Sequence, residues 1–174
     1  MPAGTRFVRI HRSELSPLFF GTTGDNRFDD PDRTYGVCYL ALSLEGAFAE
    51  TCLRAVGAQF VASAFLAARV FTMIEVTAPL RLVAVHGPGL ARFGATSIVA
   101  GGVPALAQRW SRAVHDHPAA PDGLLYRTNH DNGELCAALF DRCAVKLAPR
   151  QAEGLFADRT RLAALLDRYK VGLG

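Results

Sequence analysis

The chain has no run approaching the ~20 consecutive apolar residues of a membrane-spanning helix. Its opening segment, MPAGTRFVRIHR, carries charges where a secretory signal needs its apolar stretch. A soluble, cytoplasmic protein with no membrane contact is therefore expected. Cysteine is scarce: Cys38, Cys52, Cys136 and Cys143 stand singly in apolar surroundings such as VCYLAL and ELCAALF, with no CxxC spacing and no His at a ligand offset. That excludes a disulfide framework or zinc ribbon and predicts buried free thiols in a reducing compartment. His115-Asp116-His117 has the residue types of a metal site, but histidines two apart at a helix end point away from each other, so no metal is expected. Charge of one sign is lacking too. The formal net charge is +3, from 19 mostly arginine basic residues scattered along the chain against 16 acidic ones. No basic face for direct nucleic-acid binding follows from that.

The common phosphate and nucleophile motifs are also missing. GTTGD at Gly21 to Asp25 lacks the GK[ST] ending of a P-loop, and the glycines at 87–89 and 101–102 lack a strand–GxGxxG–helix setting. No Ser occupies a GxSxG elbow. Dinucleotide-fold and serine-nucleophile readings are set aside on these grounds.

What is present is a chain of 174 residues, half of them hydrophobic, a length that suits one domain over 1–174. Such a domain can bury roughly two thirds of its unfolded surface without disulfide or metal support. Alternation over residues 5–11 predicts a strand. A polar loop follows, SPLFFGTTGDNRFDDPDRTYG, anchored by Leu18 to Phe20 and long enough to suggest function. VCYLAL at 37–42 is an apolar run of strand length. Ser43 caps the predicted helix LEGAFAETCLRAV, whose stripe is Leu44, Ala47, Phe48 and Thr51 and whose stop is Gly57. Glu50 projects at the margin of that stripe, where the small Gly46 and Ala47 leave room for a cavity. Further strands are predicted at 60–67, 69–76, 80–87, 124–128, 134–140 and 144–148, and helices at 103–117 and 158–169. With no repeat or linker, the fold class is α+β.

Two residues stand out, each with two readings. Arg27 offers a guanidinium fork to a phosphate, or pairs with Asp29 or Asp30. Glu50 is a carboxylate beside a cavity, or half of an ordinary i,i+4 pair with Arg54.

The segment RFDDPDRTYGVCYLALSLEGAFAE resembles the RES-domain toxins of bacterial toxin–antitoxin pairs. An Arg in a loop (Arg27), a Tyr-Gly-Val-x-Tyr-Leu-Ala strand (Tyr35 to Ala41) and an Ala-Phe-x-Glu helix (Ala47 to Glu50) match that family in order and spacing. DGLLYRTNHDNGELCAALFDR resembles its second block, with Thr128 where the family has Ser. The likeness covers about residues 6–150. It implies a fold similar to ADP-ribosyltransferases, with central twisted, mainly antiparallel sheets and flanking helices. It also implies NAD⁺ as substrate and growth arrest by hydrolysis or phosphorolysis of its nicotinamide–ribose bond. Transfer of ADP-ribose to a cellular protein, such as a nucleotide-metabolism enzyme, and a non-catalytic NAD-binding regulatory module remain alternatives. In this light Glu50 and Arg27 are the catalytic candidates, and Arg27, Phe28, Tyr35, Tyr39 and Thr128 the NAD⁺-binding ones. The resemblance alone implies a cognate antitoxin of helix-turn-helix type.

Overall fold

The computed structural model describes residues 1–53, 57 and 59–174. Its centre is a seven-stranded sheet built from β1 (Arg6–Arg12), β2 (Val37–Ala41), β4 (Arg69–Val76), β5 (Leu82–Ala84), β6 (Gly123–Arg127), β7 (Leu135–Phe140) and β8 (Leu147–Gly154). Across the sheet the order is β5-β6-β7-β2-β1-β4-β8. Every neighbouring pair is antiparallel except β5 with β6. A parallel pair cannot be joined by a tight hairpin. Here the crossover holds three helices, α3 (Pro88–Arg92), α4 (Ile98–Gly101) and α5 (Pro104–His115). The expected α+β architecture with a mainly antiparallel sheet and flanking helices is what the chain forms.

The central strands are buried on both faces, so they read as unbroken apolar runs rather than as alternation. On β2 and β7, Val37, Ala41, Cys136, Ala138 and Phe140 face the larger core, with α1 (Leu44–Cys52), α5 and α6 (Arg159–Arg168). Their alternates Cys38, Leu40, Ala137 and Leu139 join Phe7, Ile74 and Leu147 on the other face. The four cysteines are free thiols, three of them buried. Among the described residues no helix is long and apolar enough to cross a membrane.

Ser43 caps α1 as expected, its Oγ accepting the Gly46 N–H at 2.9 Å. Residues 54–56 of the predicted helix, and with Arg54 the alternative Glu50–Arg54 pair, lie outside the described residues. Three expectations are corrected. Of residues 60–67, only β3 (Phe60–Val61) is extended, pairing in parallel with β9 (Gly172–Leu173), while Ser63–Ala67 forms the helix α2. Alanine and leucine are strong helix formers, and one turn suffices to bury Leu66. The 80–87 run is strand only over Leu82–Ala84, because β5 lies at the sheet edge with one neighbour. The start of 144–148 belongs to a 3-10 segment (Asp141–Lys146) that leaves Val145 89% exposed, and β8 begins at Leu147.

Candidate active site

The loop before β2 is held rigidly although it has no regular structure. Asp29 is fully buried. Its Oδ1 accepts the Tyr39 hydroxyl at 2.9 Å, and its Oδ2 accepts the Asn26 N–H at 3.0 Å, the Asn26 side-chain amide at 2.9 Å and the Thr23 hydroxyl at 3.3 Å. Asp30 accepts the Thr34 N–H at 2.5 Å and the Thr34 hydroxyl at 2.6 Å, and it pairs with Arg112 at 3.0 Å. These hydrogen bonds and the Arg112 charge hold the Asp30 carboxyl below its ordinary pKa, against a desolvation penalty that is the largest single influence.

One face of α5 completes the clamp. Gln108 donates to the carbonyls of Gly24 and Asn26, and Ser111 donates to the Phe28 carbonyl at 2.6 Å. Residues three and four apart on a helix share a face, so Gln108, Ser111 and Arg112 all meet the loop. The two acids beside Arg27 thus serve as internal struts of the loop. Arg27 itself donates from Nη1 to the Gly102 carbonyl at 2.6 Å.

This arrangement puts Arg27 on a cleft of about 490 Å³, within the range of small-molecule sites. Glu50 and Ala47 of α1 line it, with Tyr39 of β2, Tyr126 of β6, and Asn129 and His130 just beyond β6. Val8 and Ile10 supply an apolar wall. Ala47 gives Glu50 its space. Gly46 does not, since a Cβ there would meet the Ser43 Oγ at 3.2 Å and the Cβ atoms of Ala41 and Glu134 at 3.3 Å. Arg9 also reaches the cleft, its Nη1 donating to the carbonyls of Pro17 at 2.8 Å and Phe19 at 3.1 Å.

The polar groups act on one another. Burial raises the Tyr126 hydroxyl well above its ordinary pKa, and the Glu50 carboxylate raises it further. Tyr39 is raised by burial, then by Asp29, with Glu50 adding to it. The Cys136 thiol is pushed up by burial, then by Glu50 and Glu134. Both phenols therefore stay protonated and are hydrogen-bond donors near a carboxylate, while the thiol is not a nucleophile.

The chain has four tyrosines, and all four are raised chiefly by burial: Tyr35 to about 12, with Tyr39, Tyr126 and Tyr169 also shifted upward. Unfolded phenols ionise near pH ~10. With folded values above unfolded ones, this contribution to stability is complete below pH ~10 and is lost as pH climbs through the folded values. An alkaline titration followed at 295 nm should show no native phenolate step near pH ~10, its absorbance rising only together with unfolding. Two tyrosines titrating normally in the folded protein would contradict this burial.

The structure brings Arg27, Glu50 and Tyr39 together at the cleft, but not Phe28, Tyr35 or Thr128. Phe28 is fully buried, with its ring 4.8 Å from that of Tyr126 and its N–H donating to the Tyr39 hydroxyl at 2.9 Å. Tyr35 stacks on His115 at 3.8 Å beneath α5, and its hydroxyl is 3.2 Å from the Ser111 Oγ. Neither ring offers a face to a ligand, because each is used in packing. Thr128 is buried on a neighbouring cavity, its Oγ accepting the His130 N–H at 3.1 Å. His115 and His117 are likewise occupied, one in that stack and in a 2.8 Å contact with Asp116, the other accepting the Ala119 N–H at 3.1 Å. No group of three potential metal ligands occurs among the described residues.

Sequence reasoning missed Tyr126, Asn129 and His130 as lining residues. Tyr126 stands in the apolar strand LLYRT, where an aromatic reads as core, and it is indeed almost fully buried. Asn129 and His130 follow the strand end and carry no pattern.

Comparison with known proteins adds three findings. The model of the RES domain matches residues 6–159. The probable toxin y4kH of Sinorhizobium fredii is 32% identical over 99 residues, which cover 56% of this chain and 77% of that protein. The crystal structure of the M. tuberculosis MbcT–MbcA toxin–antitoxin complex contains a similar chain. Its TM-score is 0.72 at 17% identity, over 98% of this chain and 91% of that one. At that identity the likeness is one of fold.

Proposed function

The chain belongs to the RES-domain family, and on that premise we propose that it is the toxin of a toxin–antitoxin pair and acts by cleaving the nicotinamide–ribose bond of NAD⁺. The observation that carries this reading is the convergence of Arg27 and Glu50, from a loop and a helix, on one cleft with two protonated tyrosines.

Breaking this bond leaves the electron pair with nicotinamide, whose ring becomes neutral, while positive charge grows on the ribose carbon. That transition state resembles the oxocarbenium ion of glycoside cleavage. A fixed carboxylate beside the ribose stabilises the charge as it develops, and this is the role of Glu50. The Arg27 fork takes the pyrophosphate, for which a planar guanidinium is better suited than an ammonium. Tyr39 holds the Arg27 loop through Asp29 and the Phe28 N–H rather than stacking on the ligand. Tyr126 presents its hydroxyl to a ribose oxygen. Water or phosphate then bonds to the ribose carbon, and its proton passes to solvent. Phe28 and Tyr35 support the site from beneath, and Thr128 acts from the adjoining cavity.

An antitoxin partner is proposed from the likeness to a toxin crystallised with its antitoxin. Phe19, 53% exposed at the cleft, gives such a partner an apolar foothold. Mass spectrometry of NAD⁺ incubated with the purified protein, with and without phosphate, tests the reaction. Nicotinamide with ADP-ribose or its phosphate ester is expected. A labelled protein band from a lysate, with no free ADP-ribose, would instead identify a protein acceptor. Unchanged NAD⁺ in cells arrested by the protein would overturn the reading.

A further inference from the structure

A second cavity, of about 460 Å³, opens beside the cleft at the C-terminal ends of the parallel strands β5 and β6. Two segments touch both. Thr128 and Asn129 line the second cavity while Asn129 and His130 line the cleft, and Ser97 lines the second cavity while Pro104 lines the cleft. Gly102, whose carbonyl takes Arg27, lies on that latter segment. Asn129 lines both spaces, and Arg27, on the cleft, is tied through Gly102 to the stretch that runs from Ser97 to Pro104.

The lining has a distinct chemistry. Val85 and Leu90 are apolar, while His86, Ser97, Arg127, Thr128, Asn129 and Asn132 are polar, and no carboxylate lines the cavity among the described residues. The His86 Nε2 is buried with no hydrogen-bond partner, a costly condition that a ligand atom would relieve. Burial, then the Arg127 charge, lowers the His86 pKa, so the ring presents neutral imidazole. Arg127 is the one formal charge in the lining among the described residues, and its Nη1 already donates to the carbonyls of Asn132 and Gly133. A phosphate would find little here. A flat heterocycle with donors and acceptors on its edge and apolar faces suits the cavity better, and side-chain amides are able to read such an edge.

We propose that this second cavity binds the adenosine end of the dinucleotide, with the pyrophosphate crossing beside Arg27 and the nicotinamide riboside in the cleft. The assignment rests on the NAD⁺ reading above and gives it a direction: His86 and Asn132 are specificity residues for the half of the substrate that does not react. A ligand lacking that half does not sense them.

Nicotinamide mononucleotide has the same scissile bond without the adenosine, so it separates the two halves. His86→Leu, which also removes the orphaned nitrogen, and Asn132→Ala should each raise KM for NAD⁺ about tenfold, the worth of one or two hydrogen bonds. Cleavage of nicotinamide mononucleotide should be unchanged. An unaltered KM for NAD⁺, or an equal loss on both substrates, would overturn the assignment. A second measurement is independent of turnover. Adenosine monophosphate added to Glu50→Gln protein should shift the backbone NMR signals of His86, Thr128 and Asn132, and His86→Leu should abolish those shifts. Shifts confined to the cleft, or reproduced by inorganic phosphate alone, would overturn it. If the wild type leaves NAD⁺ intact, the reaction assignment fails, and the monophosphate map still decides the cavity.

Discussion

Glu50→Gln should lower the rate of NAD⁺ cleavage by about 10²–10³-fold, the scale on which preorganised electrostatic groups act, with little change in folding. Glutamine keeps the shape of the side chain and one carbonyl oxygen, so it fits beside Ala47. What it loses is the charge that the proposed reaction sets opposite the ribosyl cation, and in that reaction the charge matters in the transition state more than in the bound substrate. The loss should therefore fall on kcat, with KM nearly constant. Initial rates of nicotinamide release, set against a urea midpoint equal to that of the wild type, check both halves. Cells induced to make the variant should grow. Retention of more than a tenth of the activity in a folded variant would remove Glu50 from the chemistry.

Asp29→Ala should cost about 3 kcal/mol, since it leaves several buried or half-buried donors without their charged acceptor. Asn26 would lose the partner of both its N–H and its amide, Thr23 a weaker one, and Tyr39 the acceptor of its hydroxyl. Tyr39→Phe removes one end of the same network and should cost about 1–2 kcal/mol. The double variant should cost less than the sum, because the two share a bond. Denaturant midpoints for the four proteins measure the coupling, and hydrogen exchange of the 21–34 amides locates it. Activity should fall with Asp29 although its carboxylate touches no ligand, because the loop that aims Arg27 comes loose. Strict additivity, or unchanged exchange in the loop, would mean that Asp29 does not hold it.

Much of this architecture was legible in the sequence where a pattern had one physical cause. VCYLAL and LCAALF read as strands because burial on both faces leaves no polar alternation. Ser43 was readable as a cap because a hydroxyl is wanted before four unpaired N–H groups. Arg27 and Glu50 were singled out by the order and spacing of their segment, and both line one cleft, while their own chemistry left surface ion pairs open. Less legible was anything decided by tertiary context. FVASAFLA has enough alternation for a strand, but its alanines and Leu66 settle as helix after two extended residues. Phe28 and Tyr35 were placed with the ligand because of their nearness to Arg27 in sequence, yet their rings face Tyr126 and His115 inside the core. Asp29 and Asp30 looked like partners of Arg27 and prove to be struts. The second cavity draws on residues from three separated stretches, and nothing in any one of them announces it.

The grip of α5 on the Arg27 loop has a thermodynamic consequence. Through Gln108, Ser111 and Arg112 the helix spends its side chains during folding, so the conformational entropy of the loop is lost once, when the protein is made. A substrate arriving later does not have to order that segment, and its affinity is reduced by no such debt. On the proposed reading, the Arg27 loop is then set for its substrate from the moment the protein folds. Any restraint on the proposed activity would then have to come from something that occupies or covers the cleft.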